Sequence, residues 1–224
     1  MPGLGAVYVF LLGLTGGIAL LPITAFRRVS PGWLKALLIA SGVFVIGRYV
    51  AMAACAAAHT PPSSAIIRLC WFATSLALPL QSVFAIDQLV RHPAMSAKKL
   101  LRWMSPWLLA YGALILFGAG ALEPDRVLGW SFHLARGWQR WLSIVHATFV
   151  VGFVIISILL VRNIPSPPIR AAILWLVACH VWLAADGVLL ACGQWYFRPY
   201  LYSEPAALLA VWYAYDTANH LNTS

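Results

Sequence analysis

"RAAILWLVACHVWLAADGVLLAC", Arg170 to Cys192, decides the fold. After its leading arginine, His180 and Asp186 are the only acidic or basic groups in a run of apolar and small residues. A helix of about 20 apolar residues is what spans the roughly 30 Å hydrocarbon layer of a bilayer. Such a helix satisfies its own backbone groups, the condition for entering lipid. The stretch lacks the two-residue alternation of a barrel strand. It is therefore read as a membrane-crossing helix.

The composition extends that reading to the whole chain. Of 224 residues, 62% are hydrophobic and 9% charged, with a mean hydropathy of +0.84. A soluble domain carries about 25% charged residues, so this chain lacks the polar groups to cover a globular surface. The net charge of +9 does not indicate nucleic acid, because the cations lie in short loops rather than in a tail or a basic helix. No zinc-type cysteine spacing and no low-complexity run occur, and one domain over 1–224 is expected. The N-terminal "MPGLGAVYVFLLGLTGGIALLPITAF" has no basic residue before its long apolar core, which sets it apart from a secretory leader.

Seven apolar runs are predicted as spans, making an all-α integral membrane bundle. They cover about 4–26, 34–58, 66–89, 103–122, 141–162, 170–192 and 205–219. Loops after runs one, three and five, with their flanks, hold nine cations: Arg27, Arg28, Lys35, Arg91, Lys98, Lys99, Arg102, Arg162 and Arg170. Loops after runs two, four and six hold four: Arg126, Arg136, Arg140 and Arg198. Cations mark the cytoplasmic side, so the N-terminus is expected outside and the C-terminus in the cytoplasm, in a bacterial-type cytoplasmic (inner) membrane. "GWSFHLARGWQRW" and "QWYFRPYLY" place aromatic residues at the outer boundary. Transporters are often built from repeated halves, and no such duplication is visible.

Ionisable groups inside a membrane cost about 2.5–3.5 kcal/mol each on insertion scales and turn inward toward a partner. Arg48, His146, His180 and Asp186 fall between the midplane and the outer side of their segments. Arg48 and Asp186 lie at similar depth and are expected to pair. His180 and Asp186, six residues apart, stand about 240° apart counted one way around a helix. Cys179 and Trp182 share the Asp186 side. Asp186 and Trp182, with Arg48 and His146, are therefore the candidates for holding a cationic or polar ligand. His180 and Asp216 are structural polar candidates, with His180 directed at a neighbouring helix. Pro79 should bend the third segment and free a carbonyl, with Ser75 or Gln81 as its substitute partner.

Other chemistries are weaker matches. His146 and His180 could ligate haem b, but their depths differ by one to two turns. Asp186 and Asp216 differ in depth too, whereas a catalytic carboxylate dyad shares one proton at one level. No metal site, GxSxG, HExxH or P-loop is present, so no catalytic residue is assigned and no cofactor is expected. Cys55, Cys70 and Cys192 all lie near outer helix ends, either as buried thiols or with two of them in a disulfide.

The chain resembles the N-terminal seven-helix membrane region of certain bacterial histidine kinases and diguanylate cyclases. The similar features are "RLCWFATSLALPLQSVFAIDQLVRHP", a long fourth outer loop leading into "WLSIVHATFVVGFVIISILLVRN", a polar sixth segment, and a short last one in "SEPAALL". The resemblance implies a sensory or binding module for a small ligand or a partner protein. Those sensors continue into a kinase or cyclase domain, whereas this sequence ends at Ser224. Output is therefore expected through a separate cytoplasmic or membrane signalling protein. The alternative is a membrane enzyme or redox subunit acting on a lipid, quinone or haem in the same outer-half pocket.

Overall fold

The computed structural model describes residues 2–92, 96–125, 129–191 and 200–221. Its elements are α1 (Pro2–Ile18), α2 (Leu20–Phe26), α3 (Gly32–Ala57), α4 (Ser64–Trp71), α5 (Ala73–Val90), α6 (Ala97–Phe117), β1 (Gly120–Asp125), β2 (Gly129–Leu134), α7 (Arg136–Asn163), α8 (Pro167–Ala191) and α9 (Ser203–Leu221). Six stretches are long and apolar enough to cross a membrane: Gly5–Phe26, Gly32–Ala57, Ser64–Val90, Ala97–Phe117, Arg136–Asn163 and Pro167–Leu189. Their outward faces are apolar, with Phe10 69% and Trp103 77% exposed. An apolar exterior of this extent is foreign to soluble monomers, and the chain is a multi-pass membrane protein.

The seventh predicted span, α9, is not among the six. It carries Glu204 and Asp216, and it lies at the centre of the bundle against α1, α2, α5 and α8. A helix with one side covered by other helices, and only residues such as Leu209 and Tyr213 exposed on the opposite side, need not be apolar throughout. Ala210, Ala214 and Ala218 repeat every four residues on its buried side. Small residues at that spacing let helix backbones approach closely. Tyr215 is fully buried, edge-on to Phe26 at 4.7 Å, and its hydroxyl donates to the Gln81 carbonyl at 3.1 Å. Near its other end, Asn219 donates to the Ala25 carbonyl at 3.2 Å.

Two predicted spans are interrupted. The first changes helix at Ala19 and the third at Phe72. Pro79 lies within α5, seven residues beyond the break. Gln81, one of the two side chains expected to serve the carbonyl freed by that proline, donates to Ser41 Oγ on α3 at 2.9 Å. The fourth predicted span, α6, starts earlier than expected, because Ser96 caps it by accepting from the Lys99 amide at 3.3 Å.

The predicted fourth loop contains a β-hairpin, a departure from the all-α expectation. β1 and β2 are antiparallel, in register from Gly120 opposite Leu134 to Asp125 opposite Gly129. Phe132 packs edge-on to Phe72 at 6.0 Å in a cluster with Cys55, Ile67 and Tyr111. Gly129 has φ 69°, and a Cβ there would fall 2.7 Å from the Cys55 carbonyl oxygen. A side chain is thus excluded both by backbone conformation and by space.

Candidate functional site

Glu204 is the second residue of α9, directly before Pro205. An acid in the first turn suits the helix dipole, and proline there forfeits no helical bond. The carboxylate nevertheless turns into the bundle. Arg48 Nη2 donates to Glu204 Oε1 at 2.9 Å, and Arg48 Nε to Oε2 at 3.4 Å. Tyr49 Oη donates to Oε2 at 2.8 Å, and Thr74 Oγ1 to Oε1 at 2.8 Å. All four residues are buried. The acceptor capacity of a carboxylate, about four sites, is thereby filled. Three helices, α3, α5 and α9, converge on one anion.

The expected pairing of Arg48 with Asp186 is corrected by this geometry. Arg48 engages Glu204, and Asp186 accepts from Ser203 Oγ and from the Tyr200 amide at 3.3 Å. Asp186 therefore ties α8 to the first residue of α9, one position before Glu204. Tyr200, in the turn before α9, has φ 69°, a region that bulky residues seldom adopt. Burial, then the neighbouring Glu204 carboxylate, push its phenol up to about 12, so it stays neutral at physiological pH. Its hydroxyl lies over Gly187, where a Cβ would approach it to 3.1 Å.

The other expected residues are scattered. Trp182 is 46% exposed on the outside of α8, whereas Asp186 is 6% exposed. The two do not line one interior face. His180, placed by the sequence on another side, is 1% exposed. The inward stripe of α8 includes Ile173, Leu176, Cys179, His180, Leu183 and Asp186. Seven-residue steps join Ile173 to His180, Leu176 to Leu183, and Cys179 to Asp186. Such a seam is wide enough to take in both ionisable groups. His180 Nε2 meets Ser82 Oγ at 2.8 Å, and its ring sits edge-on to Phe149 and Phe153 at 5.6 and 4.8 Å. Its Nδ1 is buried without a partner.

His146 Nδ1 lies 3.3 Å from Tyr111 Oη, between α6 and α7. The two histidines of the haem alternative thus have different partners. Asp216 is on the outer side of α9, 3.5 Å from His220 Nε2. Cys55 and Cys70 are free thiols, and Cys192 lies outside the described residues. Among the described residues, no group of three His, Cys, Asp or Glu side chains could hold a metal ion.

Sequence reasoning missed Glu204 because "SEP" reads as an ordinary helix start. One signal narrows the search. Of the chain's six acids, only Asp87 and Asp216 lie away from the Arg48 end of the predicted segments, which leaves Glu123, Asp125, Asp186 and Glu204 as partners for Arg48. No protein-family profile, no curated protein and no solved structure matches the chain.

Proposed function

We propose that the chain is a seven-span sensory or binding module of a bacterial-type cytoplasmic membrane. In this reading α9 is the seventh span, and the hairpin end of the bundle faces outside. The opposite end faces the cytoplasm, as the nine-to-four bias in loop cations favours. A small cationic or polar ligand enters at the hairpin end, and α9 carries the response to a signalling partner on the other side.

The observation that carries this reading is the buried Arg48–Glu204 pair at the first turn of the central helix. Ionisable groups inside a membrane mark functional sites by default, each with its partner. Here the pair sits one residue from the Ser203–Asp186 tether, so two buried carboxylates hold the start of α9, and one of them is matched by a guanidinium. That surplus of acid suits a cation. A ligand that competes for Glu204 or Asp186 alters the anchorage of α9. Glu204 and Asn219 are fifteen residues apart, about 22 Å along the helix axis, so one rod links both ends of the bundle.

A thermal-shift screen of small cations, zwitterions and anions on the purified protein tests this. A cationic or zwitterionic ligand should raise the melting temperature of the wild type and lose that effect in Asp186→Asn or Glu204→Gln. A set of hits confined to anions, or hits indifferent to both substitutions, contradicts the reading.

A further inference from the structure

α3 and α6 both pack against α5, and a cleft runs between them. Two hollows occupy it. The first, about 410 Å³, is lined by Trp33, Lys98, Leu101, Arg102 and Ser105 at the starts of the two helices. The second, about 260 Å³, is lined by Leu37, Ala40, Phe44, Leu76, Leu80 and Leu108, among others. Trp33, Leu37, Ala40 and Phe44 follow one another by three or four residues, so they share one face of α3. Leu101, Ser105 and Leu108 do the same on α6. The hollows are therefore successive levels of one cleft, open to the side. Its upper level is effectively apolar, because the Ser41 hydroxyl there is already engaged by the Leu38 carbonyl and Gln81 Nε2.

The geometry points to a binding site for one anionic phospholipid, with its phosphate at Lys98 and Arg102 and an acyl chain along α3 toward Phe44. Three observations converge on that occupant. Lys98 and Arg102 stand one turn apart, and among the described residues no carboxylate pairs with either. Basic pockets between membrane helices take up acidic headgroups in this manner. Trp33 borders the cations, and an indole belongs at the headgroup boundary. From Trp33 to Phe44 is eleven residues, about 16 Å of helix, close to half of the roughly 30 Å hydrocarbon layer. The cleft is thus charged at one end, apolar beyond it, and one leaflet long. The site is separate from the Glu204 cluster and stands whether or not that cluster binds a ligand.

The test is lipid retention. The protein is reconstituted in vesicles of equal phosphatidylglycerol and phosphatidylcholine, extracted in mild detergent, and its co-purifying lipids are weighed by mass spectrometry. The wild type should retain phosphatidylglycerol over phosphatidylcholine by on the order of tenfold, as two cooperating surface cations allow. Lys98→Gln with Arg102→Gln should abolish the preference. Ala40→Phe, which fills the apolar level, should lower total retention. The pair Arg162→Gln and Arg170→Gln, cations at the same end but on α7 and α8, should change nothing. Glycerol phosphate added during extraction should not displace the lipid. No preference in the wild type, an unchanged preference in the Lys98 and Arg102 double variant, equal loss in the control pair, or displacement by glycerol phosphate would each overturn the proposal.

Discussion

Arg48 and Glu204, 156 residues apart in the chain, meet at 2.9 Å in the buried interior, and Tyr49 and Thr74 complete the shell around the carboxylate. The pair joins the second predicted span to the last, so it closes the bundle as well as neutralising two charges. Leaving one charge of a buried pair unmatched typically costs about 3–5 kcal/mol. Arg48→Met and Glu204→Gln should each lower the melting temperature in detergent, and the double variant should recover part of the loss. Arg48→Met with Asp186→Asn should show no such recovery. Additive losses for Arg48 and Glu204 would mean that they do not interact.

Tyr49→Phe and Thr74→Val each remove one donor from the Glu204 carboxylate and should destabilise by about 1–3 kcal/mol apiece. Reversible unfolding followed by tryptophan fluorescence measures this. Their effects should fall well below the additive sum once Glu204 is glutamine, because the donors then serve a neutral acceptor.

Gly129→Ala should destabilise the protein by about 1 kcal/mol or more, since alanine disfavours a positive φ and its Cβ would meet the Cys55 carbonyl. Gly137→Ala, where nothing lies within 4 Å, is the matched control and should be neutral or slightly stabilising. Melting curves of the two variants separate hairpin packing from a general glycine effect.

Cys55, Cys70 and Cys179 should all take up an alkylating reagent when the protein is unfolded without reductant. Intact-mass spectrometry counts the adducts. Protection of Cys55 or Cys70 that reductant removes would indicate a disulfide at the hairpin end.

What the sequence made legible followed from one physical demand. Lipid forces the backbone into helices, so apolar runs revealed six spanning stretches, most ends within a few residues; the fourth starts six residues earlier, at Ala97 behind its lysines, and ends five earlier, at Phe117, and the fifth starts five earlier, at Arg136. The hairpin was not legible. "GALEPD" holds two acids and a proline, and its strand depends on packing of β2 against α3 and α4. Arg48 was readable as an inward charge, but its partner was not. Asp186 stands out in an apolar run, while Glu204 is camouflaged by Pro205 and the dipole rule for first turns. The faces of α8 failed for a related reason. Angular spacing ranks residues around a helix, but it does not say how wide a stripe the neighbours cover, and here they enclose both His180 and Asp186.

The most direct test of the central claim, that the Glu204 lock governs α9 as a unit, is hydrogen exchange in the wild type, Glu204→Gln and Gly129→Ala, read at the amides of Tyr213 to Leu221. Exchange there should quicken in Glu204→Gln and stay at the wild-type rate in Gly129→Ala, although both variants are less stable. Faster exchange confined to the first turn of α9, or equal acceleration in both variants, would contradict it.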